Sequence, residues 1–202
     1  MRSFANILIS LAIFLPFALN ADQLDDMFAK LDRLERVFWQ PMRTDSDEYR
    51  AKSDLLFEVI VMGRSIQSIA SNAGSKLPNL TVAMNQIKNV FDYINSPNLR
   101  GYRCRFKYTS MREYAPQFRQ DLSVQERKER PKPTLDNVSV DDYQNWLLEI
   151  ADDNSKKVSA PKGANEKVAE SLRDHVTTFF TSIATIRVTL VKYRQEKKIR
   201  FP

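Results

Sequence analysis

Three features of this chain predict an all-α fold. Only 4 of its 202 residues are glycine, against an ordinary share of about 7%, so turns that need positive φ are few. Apolar residues recur at helical spacing in five separate stretches. Those stretches stop at breakers: before Pro41, at Gly74, and at Ser96-Pro97. The expected architecture is a single-domain bundle of four long amphipathic helices plus one short helix, with an irregular basic and aromatic excursion between the third and fourth.

The chain opens with a segment of a different kind. Arg2 precedes a short apolar run from Ile7 to Leu19, and Asn20-Ala21 offers a small-residue exit before Asp22. This is the layout of a secretory signal peptide over residues 1–21. The run falls short of the roughly 20 apolar residues that span a bilayer, and Pro16 interrupts it. A secreted, extracellular protein that is not transmembrane is the expectation. Residues 22–202 would form the bundle domain, with net charge falling from +6 to +5 on loss of Arg2.

The first helix is expected over 23–40. Leu24, Met27, Phe28, Leu31, Leu34, Val37 and Phe38 make one apolar stripe, and Asp25, Asp26, Asp32, Arg33 and Arg36 fall off it. The second begins near the acidic Asp45-Ser46-Asp47-Glu48, which suits the positive end of a helix dipole. It runs through Leu55, Leu56, Val59, Ile60, Ile66 and Ile69 to Gly74, a residue suited to a C-cap. The third takes 80–94. The fourth is short: Ser139 followed by Asp142 resembles a capping box, and Tyr143, Trp146, Leu147 and Ile150 form its inner face. The fifth is the longest, 165–197, with Val168, Leu172, Val176, Phe179, Phe180, Ile183, Ile186 and Leu190 inward.

Between the third and fourth helices the period changes. Tyr102, Cys104, Phe106 and Tyr108 alternate with Arg103, Arg105 and Lys107, the pattern of an extended segment. A helix from Ser110, cut short by Pro116, is the competing reading. Residues 124–138, which hold Arg130-Pro131-Lys132-Pro133, read as an exposed loop.

Composition limits the chemistry. One Cys and one His cannot supply the usual Cys/His zinc set from this chain alone. No nucleophile elbow, phosphate loop or dinucleotide fingerprint occurs. A Cys104/His175 nucleophile pair is outweighed by a plain helix-surface reading of His175. The chain is therefore expected to be no enzyme and to need no cofactor or metal. Cys104 permits no intrachain disulfide, so it is either a buried small hydrophobe or bridges to another chain. Asn79-Leu80-Thr81 and Asn137-Val138-Ser139 are candidate glycosylation sites.

Charge is unevenly spread. Residues 100–132 carry 10 basic and 4 acidic groups, and residues 187–202 carry 6 and 1. Arg100, Arg103, Arg105, Lys107, Lys192, Arg194, Lys197, Lys198 and Arg200 therefore form a candidate anion-binding surface. In a secreted protein it would meet an acidic protein, anionic glycan or lipid surface, with no nucleic acid expected. The last turns of the fifth helix are expected to project or fray as a cationic arm.

Two helices have uncharged middles, 175–186 and, apart from Arg64, 59–75. This makes them the expected central pair of the bundle. A homo-oligomer face, or a cavity for an apolar ligand lined by Ile60, Ile66, Phe179, Phe180 and Ile183, are the functional alternatives. The expected function is macromolecular interaction, with extracellular carriage of a lipid or other apolar ligand as the alternative.

Overall fold

The computed structural model describes residues 21–39, 43–75, 80–97, 99, 111, 135, 138–158 and 163–199. Among them are five helices and no strand: α1 (Ala21–Phe38), α2 (Asp47–Asn72), α3 (Leu80–Ile94), α4 (Val140–Lys156) and α5 (Glu166–Lys197). The chain is an all-α bundle. Residues 1–20 of the expected signal segment, the alternating stretch 102–108, Cys104, Asn79 and Asn137 lie outside the described residues.

The helix ends follow local chemistry. Ser46 accepts a hydrogen bond from the Tyr49 N–H at 3.1 Å and Ser139 one from Asp142 at 3.0 Å, while Asn165 caps α5 through the Val168 N–H. Gln67 of α2 caps the neighbouring helix, its Oε1 accepting from the Leu80 N–H at 3.0 Å. Gly74 takes φ +75°, with its own N–H bonded to the Ser71 carbonyl and the Ser75 N–H bonded to that of Ala70. This pair of bonds is a Schellman ending, which glycine allows at little cost.

α4 is not short. It has 17 residues, two more than α3. The apolar face fades after Ala151, but the salt bridges Lys156–Asp152 and Lys157–Asp153, each four residues apart, run on through the final turn.

The expected central pair also needs correction. α4 and α3 pack along α5, α1 packs along α2, and α2 along α3, with a slighter α1–α5 contact. α2 and α5 are not a close pair. The uncharged middle of α5 is indeed surrounded, and from Phe179 to Leu190 only Thr181 and Thr185 escape burial. The uncharged middle of α2 has another cause. One side holds Gly63 where α1 and α3 converge: a Cβ there would lie 1.5 Å from Met84 Cε and 3.6 Å from Met27 Cε. The other side leaves Phe57 and Val61 in water.

Candidate functional site

The C-terminal end of α5 is the first place where charge and structure must be reconciled. Arg194 is buried, with no exposed surface, and its guanidinium donates to Asp25 of α1. One heptad back along α5, buried Arg187 lies 2.5 Å from Asp32 and 3.6 Å from Glu35. Asp32 is one heptad on from Asp25, so the two ion pairs set α1 and α5 in antiparallel register. Two of the six cations at 187–202 are therefore internal. Arg194 is withdrawn from the candidate anion-binding surface, because a buried guanidinium paired to a carboxylate presents no charge to a ligand.

Arg187 anchors a wider buried cluster. Burial alone would lower the guanidinium's pKa, but Tyr143, Glu35 and Asp32 outweigh it and hold the value above the ordinary one. Burial pushes the Tyr143 phenol up to about 12, against a hydrogen bond and charge from Arg187 that pull it down. Glu35 also accepts a hydrogen bond from the Met111 N–H at 3.0 Å. The far side of the basic excursion is held by Gln195, whose Nε2 donates to the carbonyls of Leu135 and Val138 at 3.0 and 2.9 Å. Met111 is thus tied to α1, and Leu135 and Val138 are tied to α5.

The end of α5 neither projects nor frays. Val191 and Tyr193 are buried and Ile199 packs on the core. Lys198 takes φ 56°, and the Ile199 N–H bonds the Arg194 carbonyl at 2.9 Å, a Schellman ending with lysine at the left-handed position. Lys192, Lys197 and Lys198 are exposed on this firm end, with Lys197 Nζ 5.9 Å from the Tyr193 ring. Exposed Glu196 is the one acid among them. Arg100, Arg103, Arg105, Lys107 and Arg200 lie outside the described residues.

The residues expected to line an internal cavity are all buried. Phe179 lies 4.1 Å from Phe38 and 5.0 Å from Trp39, ring centre to ring centre, and Trp39 stacks on Phe180 at 6.1 Å. Aromatic rings from α1 and the residue after it therefore pack directly on this part of α5. Of the five, Ile66 borders a groove on the surface between α1 and α2. Sequence reading missed this groove. The signal was present in Phe57 and Val61, which lie off the inner face of α2 and are not charged.

His175 stacks on Tyr93 at 3.6 Å, and its Nδ1 is 2.6 Å from the Ser171 carbonyl oxygen. Its position is accounted for by packing. Thr177, Thr181, Thr185 and Thr189 each donate to the carbonyl four residues earlier, so these hydroxyls are satisfied within α5. Among the described residues no group of three His, Cys, Asp or Glu side chains could hold a metal ion, and no helix is long and apolar enough to cross a membrane. No protein-family model matches the chain, and no curated protein or solved structure is significantly similar to it.

Proposed function

We propose that the chain is a secreted, non-enzymatic helical protein that docks on acidic macromolecular surfaces, such as a sulfated glycan or an anionic lipid surface. The observation that carries this reading is the sorting of cations at the end of α5. Arg187 and Arg194 are consumed by α1, while Lys192, Lys197 and Lys198 stay in water on the same helix end. Firm packing beneath them fixes their positions, which lowers the ordering cost of binding. The negative end of the helix dipole favours cations there even before a partner arrives. The signal-peptide layout supports secretion, and the basic run at Arg100, Arg103, Arg105 and Lys107 supports a second contact region.

The test is co-sedimentation with vesicles of phosphatidylserine and phosphatidylcholine, with soluble heparin as competitor. Binding should require the anionic lipid and weaken steeply from low to physiological salt, where exposed charges are screened over about 8–10 Å. Equal binding to pure phosphatidylcholine would refute electrostatic docking.

A further inference from the structure

A groove of about 450 Å³ opens between α1 and α2. Val61, Met62 and Ile66 line it from α2, with Phe57 beside them. Phe57 is 66% exposed and Val61 48%. Four residues apart on one helix, they share a face. Single exposed hydrophobic residues are ordinary; these two adjoin a concave, mostly apolar surface, the kind of lining ligands bind against. The volume falls in the range of about 300–1,000 Å³ that small-molecule sites occupy. From Phe57 to Ile66 the groove follows α2 for roughly 14 Å at about 1.5 Å per residue, a shape suited to an extended chain.

The rim of the groove carries charge of one sign in excess. Lys30 Nζ lies 2.7 Å from Glu58 and 3.7 Å from Asp26, and all three side chains border the groove. Among the lining residues two carboxylates share one ammonium, leaving one negative charge over, while Arg33 acts on Glu58 from outside the lining. The hydrogen bond from Lys30 holds the Glu58 carboxyl below the usual range, so it is ionised at neutral pH. Both acids are about half exposed, and a carboxylate has lone pairs to spare for a further donor. An anionic head group would meet these carboxylates while the ammonium is already engaged. A cationic head group would be drawn to them, and the exposed ring of Phe57 offers it a further attractive face.

We infer that the α1/α2 groove binds a small cationic amphiphile, its hydrocarbon chain along Val61, Met62 and Ile66 and its ammonium head at Asp26 and Glu58. This goes beyond docking by α5, because α1 separates the groove from that helix: Asp25 faces α5, and its neighbour Asp26 borders the groove.

The test is calorimetric titration of the full secreted chain with dodecyltrimethylammonium and, separately, dodecanoate, both below micelle formation. The cation should bind at one site, about tenfold or more tighter than the anion. Val61→Arg should weaken the cation about tenfold and Phe57→Ala several-fold; both positions are exposed, so melting temperatures should hold. Glu58→Gln should narrow the gap between the two probes. Equal affinity for both probes, no binding of the cation, or unchanged binding by Phe57→Ala together with Glu58→Gln would overturn the inference.

Discussion

Arg187 shows how much one residue can carry. Its guanidinium answers two carboxylates from α1 and approaches Tyr143 of α4, so three helices meet at one charge. Arg187→Met should cost about 3–5 kcal/mol in urea unfolding, because Asp32 and Glu35 would be left without their buried counter-ion. Arg187→Lys should recover only part of that, since a compact ammonium cannot keep both the Nη2 contacts to the two acids and the hydrogen bond to Tyr143. Tyr143 adds a pH dependence. Its folded pKa of about 12 lies above the ordinary 10.0, so above pH 10 unfolding releases a proton. This contribution is fully present below about pH 10 and lost as pH rises toward 12, at most about 3 kcal/mol at 1.4 kcal/mol per unit. Equilibrium unfolding across that range should show the decline, and Tyr143→Phe should flatten it. At Lys198 the left-handed backbone suits glycine better. Lys198→Gly should raise stability by about 1 kcal/mol, whereas Gly74→Ala, at the same kind of position, should lower it by a similar amount.

At the scale of elements, periodicity was a good guide and charge was not. The apolar stripe of α1 predicted Leu24, Met27, Leu31, Leu34 and Phe38, all fully buried. Ser139, Gly74 and the start of α5 were also legible, because caps depend on neighbours in the chain. What did not show was which charges turn inward. Asp25 and Asp32 lie beside the stripe rather than on it, and only tertiary pairing with Arg194 and Arg187 decides their fate. The heptad spacing of both pairs was a signal, but its meaning depends on α1 and α5 being antiparallel neighbours. The same blindness misread the end of α5 as a loose arm, since the apolar stripe weakens after Leu190 while Lys192, Arg194, Lys197, Lys198 and Arg200 accumulate. Deleting residues 192–202 should therefore lower the melting temperature markedly, because it removes buried Tyr193 and Arg194 and strands Asp25. Thermal unfolding of the truncated chain checks this.

Across the whole molecule, α1 mediates between two surfaces of opposite character. Its Asp25, Asp32 and Glu35 bind the cations of α5, and its Asp26 and Lys30 border the acid-rimmed groove beside α2. The uncharged stretch of α2, read from sequence as central, partly faces water at Phe57 and Val61. A hydrophobic pattern reports that a face is uncharged, not what covers it. On the proposed function, Lys192, Lys197 and Lys198 of α5 serve docking, whereas Arg187 and Arg194 hold α5 to α1. The salt concentration that elutes the protein from heparin tests it most directly, compared between wild type and the Lys192→Gln/Lys197→Gln/Lys198→Gln variant. Elution at clearly lower salt with a nearly unchanged melting temperature is expected, because the three side chains are exposed. Elution at the wild-type salt concentration from a folded variant would contradict it.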